Sequence, residues 1–190
     1  NVENVLGAVA AGVLLDLDDD DIAEGIRSVR SVPGRFEAVD EGQPFAVVVD
    51  YAHTPDALDT VLQAARDLGS GRVIVVFGAG GDRDRDKRRA MGQIAHARAD
   101  HVVVTSDNPR SEEPLAIIEE IVQGTGSDVE IDPDRRSAIA RALGAAQPGD
   151  VVVIAGKGHE QGQEVAGVVH PFDDREVVRL ALHAIWTGQA

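Results

Sequence analysis

The chain contains no cysteine. Disulfides, zinc–thiolate sites and thiol catalysis are therefore excluded. Aromatic residues are scarce, at 3%, which argues against a base-stacking surface. Basic residues are outnumbered, 18 Lys+Arg against 33 Asp+Glu, for a formal net charge of −15. Such a surface repels nucleic acid and anionic lipid, so neither nucleic acid nor membrane is an expected partner. An anionic ligand can bind only where positive groups converge locally. No apolar run approaches the roughly 18 residues of a membrane helix. No basic start leads into an apolar stretch, so no signal peptide is expected. The chain has no G-x-x-x-x-G-K-[ST], hence no Walker phosphate cradle.

What is present is ordinary globular material: 190 residues, 43% hydrophobic and 27% charged. That suffices for one sizeable domain, or one domain plus part of a neighbour. A compact chain this long hides about 70% of the surface its unfolded form exposes. The first residue is Asn1, inside a helical pattern, and the chain reads as a piece of a longer protein.

Residues 2–15 are apolar at helical spacing and Ala-rich. The acidic run Asp16-Leu17-Asp18-Asp19-Asp20-Asp21 reads as a solvated turn with the N-cap of a helix over 21–30. It lacks the ligand spacing and mid-loop glycine of a Ca²⁺ site. Ser31-Val32-Pro33-Gly34 marks a boundary. Strand and helix signals then alternate: strands at 45–51, 72–77, 101–105, 129–131 and 150–155, with helices at 55–68, 87–99, 114–123 and 134–146. A hairpin-like stretch follows to residue 169, and a helix spans 173–187. Thr54 is the expected N-cap of the first of these helices, with Pro55 at its first position. The strand runs are apolar throughout, as in strands covered on both faces. The predicted fold is α/β: a doubly wound, mostly parallel, Rossmann-like sheet with helices on both faces.

Ligands of such sheets sit beyond the carboxyl ends of the strands. Four ends carry polar loops: Asp50-Tyr51-Ala52-His53-Thr54-Pro55, Gly78-Ala79-Gly80-Gly81-Asp82-Arg83-Asp84, Ser106-Asp107-Asn108-Pro109-Arg110 and Gly156-Lys157-Gly158-His159-Glu160. The glycine loop falls short of a dinucleotide fingerprint, because Arg83 stands where the last glycine belongs. Tight-turn glycines explain it equally well. In the third loop, Arg110 could grip a carboxylate while Asp107 takes an ammonium, a zwitterion clamp. Asn-Pro is also common turn chemistry. His53 and His159 lie on the ligand edge, whereas His96, His101 and His183 fall in helix or strand patterns as packing or surface groups. Lys157 and His159 sit among glycines, either close to a ligand or on a mobile loop. Nothing in the pattern suggests a metal site.

In this order and together, several segments resemble the C-terminal domain of the Mur ligases. They are Asn1-Val2-Glu3-Asn4, Pro33-Gly34-Arg35-Phe36-Glu37, the Asp50–Pro55 loop, Gly80-Gly81-Asp82-Arg83-Asp84, Lys87-Arg88, Asp107-Asn108-Pro109-Arg110, Gly156-Lys157-Gly158-His159-Glu160 and Asp173-Asp174-Arg175-Glu176. Within the family the chain is most similar to the members that add meso-diaminopimelate to UDP-MurNAc-L-Ala-D-Glu. The resemblance implies an ATP- and Mg²⁺-dependent ligase of bacterial cell-wall synthesis, working in the cytoplasm through an acyl phosphate. It implies that Arg83, Asp107, Asn108, Arg110, Gly156 and Glu160 hold diaminopimelate. Asn4, Arg35, Asp50 and His53 would lie near ATP, with Asn4 at the adenine and Asp50 at the ribose. No residue of this chain acquires a catalytic role.

The family's phosphate loop, central ATPase domain and UDP-binding domain are missing from the sequence. Residues 1–32 therefore look like the tail of a central domain, residues 33–190 like the C-terminal domain, and the partners would include the chain's own N-terminal and central domains. The piece alone is expected to ligate nothing, with domain closure bringing its contacts to the central domain. A lysine-adding Mur ligase, a dinucleotide-binding oxidoreductase and a non-enzymatic binding module are the competing readings.

Overall fold

A computed structural model describes residues 2–29 and 32–187. Asn1, Arg30 and Ser31, used above in a motif, a helix end and a boundary, lie outside the described residues. The chain separates into two compact units, Asn1–Val32 and Pro33–Ala190.

The first unit is a helix pair, α1 (Val2–Leu14) and α2 (Asp19–Ser28). Gly12 of α1 is buried, and a Cβ there would lie 2.7 Å from the Ile22 side chain. α2 begins two residues earlier than the sequence pattern suggests. Asp18 rather than a later aspartate is the N-cap, its carboxylate accepting from the Asp20 N–H at 2.9 Å. Asp19, Asp20 and Asp21 then fall in the first turn, where the helix dipole favours them.

The second unit is built on a six-stranded sheet in the order β1-β2-β6-β3-β4-β5. Its strands are β1 (Glu37–Ala38), β2 (Ala46–Asp50), β3 (Val73–Phe77), β4 (His101–Val104), β5 (Val129–Ile131) and β6 (Val151–Ala155). All neighbours are parallel except the short edge pair β1–β2. The helices are α3 (Pro55–Arg66), α4 (Asp86–Arg98), α5 (Pro114–Val122), α6 (Arg135–Ala145) and α7 (Asp174–Thr187), and a separate hairpin joins β7 (Gly162–Val165) to β8 (Val168–Pro171). The expected elements are present, with ends shifted by a residue or two; the two-residue β1 is additional.

The uninterrupted apolar runs have a direct explanation. Val73, Val75 and Phe77 of β3 point into a core with Leu58 and Leu62 of α3, Met91 of α4 and Ile118 of α5. Ile74 and Val76 point into a second core with Ile139 and Leu143 of α6 and Val178 of α7. β6 divides in the same way, Val153 to one side and Ile154 to the other. β6 is inserted between β2 and β3, so the ends of β2, β6, β3 and β4 lie side by side and their four polar loops share one edge.

Candidate functional site

Backbone contacts join these loops before any side chain is considered. Gly81 N–H donates to the Asn108 carbonyl at 2.8 Å. A Cβ on Gly81 would lie 1.9 Å from the Pro109 carbonyl, so only glycine allows this approach. Gly34 does the same at the far side, where φ is +66° and a Cβ would meet the His159 amide at 2.1 Å. The glycines therefore serve loop-to-loop contact.

The hairpin β7–β8 braces the 107–110 loop. Gln163 Nε2 donates to the Asp107 carbonyl and the Glu164 N–H to Asn108 Oδ1. Arg110 has φ 54°; its N–H donates to the Glu164 carbonyl, and its own carbonyl accepts from Ala166. Its guanidinium donates through Nη1 to the Gly81 carbonyl at 2.8 Å and stands 3.3 Å from Glu164 Oε2.

Behind the loop lie two buried cations that the sequence reading did not assign to the site. Lys157 is fully buried. Its Nζ donates to Asn108 Oδ1 at 2.9 Å and Glu160 Oε2 at 3.1 Å, and lies 3.6 Å from Asp107 Oδ1. Arg135, at the start of α6, forks onto Asp174 with two bonds of 2.8 Å. It also donates to the carbonyls of Ser106 and Ala155, tying the end of β4 to the end of β6. Its partner belongs to the Asp173-Asp174-Arg175-Glu176 segment, the only sequence signal for this pair. For Lys157 the flanking glycines suggested either approach to a ligand or a mobile loop, and local pattern carries no sign of an ammonium enclosed by distant residues.

The glycine loop has its own anchor. Arg88 of α4 is fully buried and donates to Glu112, Glu120 and the Gly80 carbonyl. Arg85 also pairs with Glu120. The Arg88 guanidinium, with the Asp82 N–H, holds the Glu112 carboxyl down at about 2. Lys87 Nζ donates to the His53 carbonyl at 2.8 Å. Burial pushes its pKa down, against the pull of Asp107 and Asp84.

Between the loops is a cleft of about 270 Å³. Its wall contains all six residues expected for diaminopimelate, Arg83, Asp107, Asn108, Arg110, Gly156 and Glu160, together with His53. Tyr51, Gly80, Asp84 and Lys87 complete the wall. Asp107 is buried, and its Oδ1 accepts no hydrogen bond. The cleft thus sets Asp107 and Glu160 in one wall with Arg83 and Arg110.

The residues expected near ATP are more dispersed. His53 reaches the cleft, its Nδ1 donating to the Tyr51 carbonyl and its ring stacked edge-on against Tyr51 at 4.5 Å. Arg35 lies over the Tyr51 ring, 4.5 Å from its centroid, a cation–π distance. Asp50 accepts from the N–H groups of Phe36 and Ala52, so its carboxylate shapes the turn around β1 and β2. Asn4 lies on α1 in the first unit. Among the described residues no group of three or more His, Asp or Glu side chains could hold a metal ion, so the residues here do not fit a Mg²⁺ cage.

A sheet of this topology with polar loops gathered around such a cleft defines a class, and sequence comparison agrees. The chain belongs to the Mur ligase family: the profile of the Mur ligase glutamate ligase domain matches residues 34–158. It is 52% identical over 189 residues to a Streptomyces coelicolor protein named UDP-N-acetylmuramoyl-L-alanyl-D-glutamate–2,6-diaminopimelate ligase, covering 96% of this chain and 37% of that protein. A solved structure described by the same enzyme name is 43% identical with a TM-score of 0.77, covering 98% of this chain and 39% of the other. A bifunctional folylpolyglutamate synthase/dihydrofolate synthase with Mn, AMPPNP and L-glutamate bound shares the fold, at 24% identity and a TM-score of 0.61 over 75% of this chain and 33% of the other. The chain therefore spans little more than a third of the length of these relatives.

Proposed function

We propose that this chain is the amino-acid-binding part of an ATP-dependent amide-bond ligase that adds meso-diaminopimelate to UDP-MurNAc-L-Ala-D-Glu in bacterial cell-wall synthesis. Residues 33–190 would be its C-terminal domain and residues 1–32 the tail of a central domain. The observation that carries the reading is the cleft, where Asp107 and Glu160 share one wall with Arg83 and Arg110. The names of the similar proteins support it.

The chemistry assigned to the intact protein is an acyl transfer. ATP phosphorylates the substrate carboxylate, the incoming amine attacks the acyl phosphate, and phosphate leaves as the amide forms. Asp107 and Glu160 would take an ammonium of diaminopimelate and Arg83 or Arg110 a carboxylate, fixing which amine approaches the acyl phosphate. L-Lysine lacks the distal carboxylate, and an arginine left without it disfavours lysine; polar sites of this kind discriminate by roughly 10⁴. Arg35, Asp50, His53 and Asn4 would meet the nucleotide, while the triphosphate and Mg²⁺ require the part of the protein beyond this chain. The reaction would take place in the cytoplasm.

The test is ADP release by the intact parent protein with UDP-MurNAc-L-Ala-D-Glu and either meso-diaminopimelate or L-lysine. Turnover with diaminopimelate alone is expected. Turnover with lysine instead would overturn the reading of the 107–110 loop, and turnover with neither would overturn the ligase.

A further inference from the structure

Lys157 lies behind the cleft wall rather than in it. A buried ammonium persists only when carboxylates and acceptors surround it. Here they are residues of the wall itself: Asn108 and Glu160 by hydrogen bonds, Asp107 by an ion pair. Asn108 closes the ring by donating through Nδ2 to Glu160 at 2.8 Å. One hidden cation thus joins three of the six expected amino-acid contacts.

The charge balance at this end of the cleft follows. Asp107 and Glu160 contribute two negative charges and Lys157 one positive charge. The neighbouring Arg135 is already matched by Asp174, and Lys87, which also feels Asp107, is matched by Asp84. The sum is a single excess negative charge on carboxylates of the cleft wall, Asp107 and Glu160. One excess negative charge suits one primary ammonium. It does not suit a hard divalent cation, which needs six or more oxygens.

We infer that Lys157 is a positioning residue for amino-acid recognition. It gathers Asp107, Asn108 and Glu160 and cancels one of their charges, so that this end of the cleft accepts one ammonium group. The inference rests on the ligase reading above and adds the residue that sets the charge of the site.

The experiment uses K157M, E160Q and the double variant in the intact parent protein. ADP release is followed at varied diaminopimelate and at varied ATP, alongside thermal melting. K157M is expected to raise KM for diaminopimelate about tenfold or more, with KM for ATP within about twofold. E160Q, which takes the balance to zero, is expected to raise the same KM. The double variant restores a balance of one negative charge and should recover part of the loss, a coupling that a merely structural lysine would not produce. An unchanged diaminopimelate KM in either single variant would overturn the inference. So would parallel rises for ATP, or a double variant worse than both singles. If K157M does not fold, K157Q replaces it, because an amide can still donate to Asn108 and Glu160 while removing the charge. An unaltered parent protein that shows no diaminopimelate-dependent turnover would remove the ligase reading instead.

Discussion

Arg110 meets competing demands. Its left-handed backbone costs a non-glycine residue about 1–2 kcal/mol, and the bonds to Glu164 and Ala166 hold it there. Its guanidinium is steadied by the Gly81 carbonyl and Glu164 while lining the cleft. In the intact protein, Arg110→Ala is expected to raise KM for diaminopimelate by about tenfold to a hundredfold and to leave KM for ATP unchanged; steady-state ADP release checks both. Arg135 is a structural counterpart. Arg135→Met would leave Asp174 buried without its partner and the Ser106 and Ala155 carbonyls without their donor. The expected loss is about 3–5 kcal/mol of unfolding free energy, read from urea titration.

At the scale of elements, the site is a set of loops braced from outside. The β7–β8 hairpin holds the 107–110 loop, and α4 with α5 holds the glycine loop through Arg88, Glu112 and Glu120. The second brace makes stability depend on pH. The Glu112 carboxyl is lowered from 4.5 to about 2 by Arg88 and the Asp82 N–H. Its contribution is thus complete above about pH 4.5 and is lost as pH falls through about 2. Asp150 and Asp173 act in the same direction: burial is the largest single influence and opposes their ionisation, but Arg72 and Arg175 together with backbone N–H donors outweigh it. The melting temperature should therefore decline over this acid range. Glu112→Gln should lower it at neutral pH and flatten the decline; an equally steep decline in the variant would contradict the assignment.

For the whole molecule, the two cores flanking the sheet lie entirely within the second unit. A piece comprising residues 33–190 is accordingly expected to unfold in urea as one cooperative transition, with coincident curves by circular dichroism and fluorescence. Separated or gradual curves would show that it needs the rest of the chain. It is not expected to release ADP, because it has no Walker phosphate cradle. Against the net charge of −15, the cleft is locally balanced, with Arg83, Lys87 and Arg110 facing Asp84, Asp107 and Glu160 in one wall.

Much of this was legible in the residues. The runs at β3 and β6 are apolar at every position because both faces are covered, so a buried parallel sheet follows from composition alone. Thr54 and Pro55 announce α3, and Asp134 caps α6, because caps act over three or four residues of local chain. The polar segments at strand ends could be gathered on one edge by the parallel topology. Strand order could not be read this way: β6 enters between β2 and β3, and its pairing with β2 joins residues as far apart as Ala46 and Val151. Nor could the assignment of Lys157, Arg88 and Arg135 to buried positions, since a cation is buried only when distant carboxylates arrive to surround it. The sequence by itself determined the elements, the α/β class and the family; only the tertiary structure decided which charges meet, because burial and pairing depend on residues that the chain brings together across the whole sheet.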